Sequence, residues 1–502
     1  MGLINDYVAA KIMAVDTKEL KKRAFSGVSV LILRNLLMQP ISFFGFLFLS
    51  IFLKKWQLGV FWAVSEVVGF LGYFSDVGLA AAIIQKKEKP TKKELRATFT
   101  IQQVLVIGSI AIALLLTPLL KRKFDFERGK FLYLMLLFGF FTSSLKTIPS
   151  VILEKKLAFK KIAIVDLMEQ IVFTGLAVFL AWKGFGVNSW AWAVFFRSLA
   201  GVILIYIFSP WPLGFSLHFE SVKKLFRFGV PFQINSLLAM LKDKLMNVFL
   251  WGILGSEGVG ILGWAQRWAQ APLHLLMDQV VRVGFPAYSK LQNDKEKLRR
   301  ALERTVSLVN LLILPVLTGM GFLMPKVVAV FPQYYKWSVG IIPFWFYLGS
   351  FAWGAITTPL VNAFNSVGRV KLTLKLMISW TALTWLLFPP LAKKFGANGA
   401  ALGLFLVSST SFVAWIIAKR EFGISFKRIL LTPVAADILM LASLIIFDNF
   451  LAVSILEIVL LTGVGALVYG AVAWVMSKEE IIWLVNTSKE WYSELSKQKT
   501  RT

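Results

Sequence analysis

The sequence predicts an all-α polytopic membrane protein with about 14 transmembrane helices. Two observations predict this fold class. Hydrophobic residues make up 57% of the 502 positions and charged residues only 16%. A helix needs about 20 apolar residues to cross a bilayer, so about 14 crossings use nearly the whole apolar content. The apolar residues also occur in long runs separated by short charged or Gly/Pro/Asn-containing segments, none of which could hold a soluble domain.

The apolar runs give the predicted spans and, through their connections, the orientation. Their approximate bounds are 25–53, 57–84, 98–120, 131–153, 162–182, 189–208, 228–253, 260–285, 306–330, 338–364, 376–391, 399–418, 429–447 and 451–476. An even number of spans places both termini on one side. With that side cytoplasmic, inward segments carry 36 of the 55 Lys and Arg residues, about three times as many as outward segments. The positive-inside rule therefore predicts that both termini are cytoplasmic.

Composition excludes several functional classes. The formal net charge of +28 would suggest nucleic acid in a soluble protein, but here inward loops facing anionic lipid headgroups explain it. With no cysteine and two histidines, the chain has no disulfide framework, no thiolate nucleophile and no multi-histidine metal centre. Outward loops of about ten residues offer no room for the acceptor-side groups of a polymerase or transferase. We therefore predict no metal, no nucleic-acid partner and no enzymatic activity.

Two pairs of similar segments indicate an internal repeat of six spans. FGVNSWAWAVF (Phe185 to Phe195) resembles FGANGAALGLF (Phe395 to Phe405), and LGVFWAVSE (Leu58 to Glu66) resembles VGILGWAQR (Val259 to Arg267). Because six is even, the copies run parallel, as in transporters with a substrate path between two lobes. The predicted organisation is an amphipathic cytoplasmic segment at 1–24, an N-lobe at 25–210, a C-lobe at 211–420, two extra helices at 421–477 and a cytoplasmic tail at 478–502.

Charged residues inside spans are the candidate functional residues, because a charge at the bilayer centre costs at least about 2.5 kcal/mol and needs a cavity or a partner. The candidate substrate-binding residues are Arg34, Lys146, Arg197, Lys242, Arg267, Gln270 and Arg282. The candidate charge-balancing or ion-coupling residues are Glu66, Asp76, Asp243 and Asp278. Arginine presents a planar fork that suits phosphate or carboxylate oxygens. These residues predict a central cavity for an anionic, amphiphilic substrate.

The eighth span carries the most informative pattern. Arg267, Gln270, His274, Asp278 and Arg282 follow spacings of 3, 4, 4 and 4 residues. At 100° per residue these positions fall within a sector of about 120° on one helix face. A continuous polar stripe on a transmembrane helix indicates a water-filled interior.

Other interpretations of the same charges stay open. Asp76, Asp278 and Arg282 lie near the cytoplasmic end of their spans, where side chains can extend to the headgroups. Arg34, Arg197 and Arg267 lie deeper, and for these we favour cavity lining over buried ion pairs that only fix helix packing.

Several segments resemble a known family. FSDVGLAAAIIQKKEKPTKKELRATF (Phe74 to Phe99), the stretch from Gly258 to Leu302, and the stretch from Leu312 to Phe331 with the trailing Trp337 are similar to polysaccharide flippases. These belong to the multidrug/oligosaccharidyl-lipid/polysaccharide (MOP) exporter superfamily. The chain departs from the family pattern after Gly260, where isoleucine and leucine follow in place of tyrosine, and after Phe331, where proline replaces glycine.

The resemblance implies a multi-pass transporter of the cytoplasmic (inner) cell membrane. Its expected substrate is a polyprenyl-pyrophosphate-linked oligosaccharide repeat unit, moved to the outer leaflet by alternating access for surface polysaccharide biosynthesis. No cofactor is expected, although transport could be coupled to H+ or Na+. We expect a monomer that works beside polysaccharide polymerase machinery. A lipid II-type flippase, a multidrug exporter of the same superfamily and, less favoured, a membrane-embedded polymerase or transferase remain alternatives.

Overall fold

The computed structural model describes residues 30–31, 33–72, 79–85, 90–118, 126–216, 219–476 and 478. Within these ranges the backbone alone is described at 81–82, 85, 219–245, 274–276, 278–279, 281–283, 286 and 428. The predicted cytoplasmic segment at 1–24 and nearly all of the tail at 478–502 lie outside the described residues. So does Asp76, together with the side chains of Lys242, Asp243, His274, Asp278 and Arg282.

The described chain is helical and divides into two compact units, Met1–Gly260 and Ile261–Thr502. The helices of the first unit are α1 (Leu33–Phe52), α2 (Lys55–Gly72), α3 (Leu79–Gln85), α4 (Lys92–Leu115), α5 (Lys130–Lys155), α6 (Phe159–Trp182), α7 (Asn188–Phe208) and the first part of α8 (Phe219–Leu291). The second unit holds the rest of α8, then α9 (Lys295–Val330), α10 (Ile341–Ser366), α11 (Val370–Ser409), α12 (Phe412–Phe422), α13 (Phe426–Asp448) and α14 (Ile455–Met476). The all-α prediction is confirmed, and no strand occurs in the described ranges.

Eleven helical segments of the described chain are long and apolar enough to cross a membrane. One of these, Val370–Phe422, covers two predicted spans, 376–391 and 399–418. The predicted span 57–84 corresponds to α2 and α3, on either side of residues 73–78, which are not described. The predicted spans 228–253 and 260–285 both lie in α8. The multi-pass prediction is confirmed, and the count of about 14 stays a prediction.

Two glycines at positive φ separate the spans that run together in the long helices. Helix α8 has 73 residues, about 110 Å if it were straight, far more than one bilayer crossing. Gly255 (φ 65°) interrupts it between the predicted spans, and Gly396 (φ 60°) interrupts α11 in the same way. Gly186, the counterpart of Gly396 in the predicted repeat, has φ 58°. Because L residues rarely adopt this conformation, glycine is required at the same place in both copies.

Polar side chains fix where α4 and α9 begin. Thr91 accepts a hydrogen bond from the backbone N–H of Glu94, whose carboxylate accepts one from the Thr91 N–H in return. This capping box satisfies two backbone donors at the start of α4. Asp294 accepts a hydrogen bond from the Lys297 backbone N–H, which lowers the pKa of Asp294 and starts α9.

Two tryptophans from the segments that resemble the polysaccharide flippases pack against each other in the core of the second unit. Trp264 of α8 stacks on Trp337 with ring centroids 5.2 Å apart and planes 2° from parallel, and both rings are fully buried. Gly340 closes this contact, since a Cβ there would lie 2.9 Å from the Trp264 ring. Trp337 is therefore a core residue.

Candidate site in the membrane-spanning helices

Arg34 near the start of α1 forms an ion pair with Asp166 of α6. Its Nη1 lies 2.5 Å from Asp166 Oδ2. Its Nε and Nη2 donate to Asn35 Oδ1 at 3.3 and 3.0 Å. Local partners therefore engage three of the guanidinium nitrogens, and the pair joins α1 to α6 across 132 residues of sequence.

Glu169, one turn further along α6, holds two cations. Its Oε1 accepts a hydrogen bond from Lys146 Nζ of α5 at 2.5 Å, and its Oε2 lies 3.4 Å from Arg197 Nε of α7. The carboxylate is 7% exposed, the Lys146 side chain 20% and the Arg197 side chain 44%. The guanidinium of Arg197 also lies over the Phe173 ring at 5.4 Å, within range of a cation–π contact.

A glycine creates the space that this carboxylate occupies. A Cβ on Gly201 of α7 would lie 1.7 Å from Glu169 Oε1. Gly201 follows Arg197 by four residues, so both lie on the same face of α7. Arg197 and the space beside Gly201 therefore lie on the same face of α7. The buried carboxylate of Glu169 fits into that space.

Hydrogen bonds extend the contact between α1 and α6 beyond the ion pairs. Gln170 Nε2 donates to Ser42 Oγ and to Thr174 Oγ1, each at 3.0 Å. Lipid chains cannot form hydrogen bonds with these polar side chains. The side chains therefore bond to one another between helices. We call the set Arg34, Lys146, Asp166, Glu169 and Arg197 the ionic network.

Helices α2 and α8 cross in close contact within the first unit. A Cβ on Gly59 would lie 1.5 Å from the Ser256 carbonyl oxygen, and a Cβ on Gly260 would lie 2.0 Å from the Lys55 carbonyl oxygen. Gly59 and Gly260 are also equivalent positions in the predicted repeat. Lys55 Nζ contacts Glu257 Oε1 at 2.6 Å beside the crossing. Only glycine at both positions allows the backbones to approach this closely.

The remaining described candidates lie near this crossing and beyond it on α8. Glu66 of α2 accepts a hydrogen bond from Asn247 Nδ2 at 3.4 Å. Arg267, one turn past the buried Trp264, is exposed, and Gln270 is half-buried. Neither Arg267 nor Gln270 makes an ion pair or a hydrogen bond with a described residue. Their donors are therefore the least engaged of the candidates whose side chains the structure includes.

A second set of charges lies between α9, α13 and α14 in the second unit. Lys326 Nζ contacts Asp448 and lies 2.9 Å from Glu457 Oε1, whose side chain is 1% exposed. Nearer the centre of these helices, Thr318 Oγ1 donates to Asp437 Oδ2 at 2.5 Å. The two predicted extra helices are therefore fixed to α9 by charge as well as by apolar packing. We call Lys326, Asp448 and Glu457 the α9 ion cluster.

The structure brings some of the predicted site residues together. Lys146 and Arg197 share Glu169, and Arg34 pairs one helical turn away, whereas Arg267 and Gln270 belong to the other unit. Sequence reasoning did not assign Asp166 and Glu169 to the site. No group of three or more potential metal-ligating side chains occurs among the described residues.

The family profile described as "Polysaccharide biosynthesis protein" matches residues 48–339, more than half of the chain. The chain belongs to this family. The lipopolysaccharide biosynthesis protein WzxC of Escherichia coli (strain K12) is 23% identical over 429 residues, covering 82% of this chain and 84% of WzxC. The predicted resemblance to a polysaccharide biosynthesis family is thereby confirmed.

Solved structures show the same fold. The lipid II flippase MurJ, in an inward closed conformation, superposes with a TM-score of 0.71 over 90% of this chain and 100% of MurJ, at 15% identity. An inward-facing multidrug resistance MATE transporter of the MOP superfamily gives a TM-score of 0.58 over 78% of this chain and 98% of that chain, also at 15% identity. At these identities the comparisons establish the fold, and the site must be argued from the residues of this chain.

Proposed function

We propose that this family member is a flippase that moves polyprenyl-pyrophosphate-linked oligosaccharide repeat units from the cytoplasmic to the outer leaflet. One observation carries the proposal. Within the ionic network of this member of the polysaccharide biosynthesis family, cationic side chains outnumber their carboxylate partners. The ionic network sets three cations against two carboxylates, and Arg267 adds a fourth cation without a described acidic partner.

An excess of cations in the ionic network favours an anionic substrate. A charged side chain in the membrane is costly, so such residues face a partner or a water-filled path. Pyrophosphate offers oxygens that a guanidinium can bind through two parallel hydrogen bonds. A cationic drug would meet repulsion from the same residues, which disfavours the multidrug alternative.

The proposal includes an orientation and a mechanism. Both termini are cytoplasmic, which places the basic segments 86–96 and 290–304 beside anionic headgroups of the cytoplasmic membrane. The two six-span lobes alternate in access, and the exposed Arg267 and Gln270 line the path together with Arg282 and Lys242. Transport is coupled to H+ or Na+ through the carboxylates of the path, with Glu66, Asp76, Asp243 and Asp278 as candidates. The protein acts as a monomer and delivers its substrate to polymerase machinery.

Deletion of the gene in its own host tests the proposal. We expect lipid-linked oligosaccharide to accumulate in the inner leaflet and surface polysaccharide to be lost, and the wild-type gene to restore both. Accumulation of lipid II in its place would favour the lipid II alternative. Unchanged polysaccharide together with increased drug sensitivity would contradict the proposal.

Arg267→Ala tests the role of the α8 stripe in the same strain. We expect at least a tenfold loss of transport, because removing a charge-assisted contact to the substrate costs about 1.5–3 kcal/mol. Arg267→Lys keeps the charge but loses the fork, and we expect an intermediate effect. Exposed Lys183 of the first unit, changed to alanine, serves as the matched control. Full transport by folded Arg267→Ala protein would remove Arg267 from the proposed path.

A further inference from the structure

Basic residues cluster around the start of α2, at the end of the first unit that the proposed orientation places outside the cytoplasm. Lys54 directly precedes α2, Arg128 belongs to the short 3₁₀ turn before α5, and Lys130 begins α5. The positive-inside rule disfavours lysine and arginine in short outward connections. These cations therefore weaken the orientation signal of the chain, and membrane topology does not explain their position.

Helix stability does not explain their position either. Lys54 lies directly before the first residue of α2 and Lys130 is the first residue of α5, and neither helix has an acidic residue in its first turn. The N-terminal end of the helix macrodipole is positive, so a cation there is destabilising. Both topology and helix stability therefore disfavour basic residues at these positions.

Two contacts hold the connection before α5 against α2. The guanidinium of Arg128 lies over the Trp56 ring, 5.1 Å from its centroid. A Cβ on Gly129 would lie 2.6 Å from Val60 Cγ1, so a larger residue would displace that side chain. Arg128 and Lys130, on either side of Gly129, are thereby held beside the first turns of α2.

The charges at this end of α2 do not cancel. Lys55 pairs with Glu257 at 2.6 Å. The remaining charges of these two connections in the described chain are three exposed cations and one exposed carboxylate: Lys54, Arg128, Lys130 and Glu127. The ammonium groups of Lys54 and Lys130 make no ion pair or hydrogen bond with a described residue. We call Lys54, Arg128 and Lys130 the α2-end cations.

The depth of the α2-end cations limits the class of anion that they can meet. Only residues 53 and 54 separate α1 from α2, so the turn between these two apolar helices lies at the membrane surface. Trp56 is a residue type that is enriched at this headgroup level. The anions at that level are the phosphate groups of lipids. A pyrophosphate carries more charge than the single phosphate of a phospholipid, and three cations attract it more strongly.

We propose that the α2-end cations bind the pyrophosphate group of the lipid-linked product in the outer leaflet after transport. The inference rests on the proposed function for the orientation and for the identity of the lipid, and it adds an outer site to the path inside the membrane. Arg128 contacts the phosphate oxygens through the edge of its guanidinium, because the face lies on Trp56. The site keeps the glycan on the outer side, where the polymerase machinery can use it.

Acetylation of lysines tests the site without a transport assay. Purified full-length protein in phosphatidylcholine nanodiscs reacts with sulfosuccinimidyl acetate, and mass spectrometry follows each lysine with and without geranylgeranyl pyrophosphate. At a probe concentration about ten times the dissociation constant, about a tenth of the sites stay free, so acetylation of Lys54 and Lys130 should slow about tenfold. Lys183, in another exposed connection of the same unit, lies over the Trp182 ring and should react at an unchanged rate.

Two further lipids identify the chemistry of the ligand. Geranylgeraniol has the same chain without the charge and should protect neither Lys54 nor Lys130. Phosphatidylglycerol has a single phosphate and should protect both lysines much less than the pyrophosphate does. Equal protection by phosphatidylglycerol or by geranylgeraniol would overturn the assignment to pyrophosphate.

Arg128→Gln tests whether the three cations act on one ligand. The change removes a charge-assisted donor, so the probe concentration that half-protects Lys54 and Lys130 should rise about tenfold. Arg128→Lys keeps the charge and should recover part of the affinity, and Lys183→Gln is the matched control that should leave the midpoint unchanged. An unchanged midpoint in folded Arg128→Gln protein would overturn the inference.

The remaining outcomes separate this inference from the proposed function. In sealed right-side-out vesicles the membrane-impermeant reagent should reach Lys54 and Lys130, and reaction only after lysis would overturn an outer site. Lysines that stay unprotected in a protein that transports lipid-linked oligosaccharide would overturn the inference and leave the function standing. The predicted protection in a protein that moves no such lipid would support the site and contradict the function.

Discussion

Gly59→Ala is expected to abolish transport and to lower the thermal unfolding temperature by about 5–10 °C. The added Cβ would lie 1.5 Å from the Ser256 carbonyl oxygen and 2.9 Å from the Gly260 nitrogen. Both neighbours are backbone atoms, so no side chain can move aside, and α2 and α8 must separate along the whole crossing. Overpacking a well-fitted contact costs about 1–3 kcal/mol, and more when only backbone can yield. Intrinsic tryptophan fluorescence on heating measures the unfolding temperature, and a leaflet-accessibility assay measures transport.

A matched glycine shows whether the effect is steric. Gly108 lies within α4, and a Cβ there would meet nothing within 4 Å. Gly108→Ala should leave both readouts at the wild-type value, since alanine also favours helix. Gly260→Ala, which would bring a Cβ to 2.0 Å from the Lys55 carbonyl oxygen, should reproduce the Gly59→Ala defect. Wild-type behaviour of both crossing variants would mean that α2 and α8 do not approach as described.

Lys326→Met is expected to destabilise the second unit by about 3–5 kcal/mol. The methionine keeps the length of the side chain but leaves Asp448 and Glu457 without their shared cation. Glu457 is nearly fully buried, so it cannot regain water without disrupting α13 and α14. Removal of one member of a buried ion pair leaves an uncompensated charge, which costs far more than an intact pair contributes. Cleavage by protease in the α13–α14 connection, followed over temperature, reports the loosening of this helix pair.

Restoring neutrality should rescue the variant. Combining Lys326→Met with Asp448→Asn and Glu457→Gln removes every charge of the α9 ion cluster, and we expect it to recover most of the lost stability. Arg300 is the control for charge removal as such, because its pair with Glu296 is exposed and Arg300→Met should have no measurable effect. If the triple variant is as unstable as Lys326→Met, the loss comes from the shape of lysine and not from its charge.

Sequence alone predicted the helical elements because their signals are local. Apolar runs long enough to span a bilayer need no knowledge of distant contacts, and nearly all predicted spans coincide with a described helix. The breaks were also visible, since Gly396 lies in the repeated Phe-Gly-x-Asn segment. The positive φ at Gly186 and Gly396 supplies the physical reason that the motif recurs.

The site was less accessible because its contacts are long-range. Arg34 and Asp166 are 132 residues apart, and a single sequence contains nothing that pairs them. The free-energy cost of a charge in the membrane indicated which side chains need either an ion-pair partner or water. It did not indicate which of these each side chain contacts. Arg34 and Arg197 both find carboxylates, yet Arg197 remains partly exposed. Gly201 gave no sequence signal at all, because its role depends on a carboxylate from another helix.

The contacts of the two extra helices, α13 and α14, are also long-range and could not be predicted from the sequence. Asp437 and Glu457 are charged residues within the last two predicted spans, and the sequence assigns a partner to neither. In the structure Thr318 and Lys326, both on α9, meet them. The spacing of eight residues between Thr318 and Lys326 is compatible with one helix face, but nothing local says that α9 is the helix on which α13 and α14 pack.

Flipping in proteoliposomes tests the central claim most directly. Purified protein is reconstituted with a polyprenyl-pyrophosphate-linked oligosaccharide, and the fraction of its sugar accessible from outside is followed over time with a membrane-impermeant glycosidase. We predict that the wild type exchanges the substrate between leaflets at least tenfold faster than protein-free vesicles, and that Arg267→Ala and Arg197→Gln slow this exchange. An exchange rate equal to that of protein-free vesicles, across inward and outward proton and sodium gradients, would contradict the account.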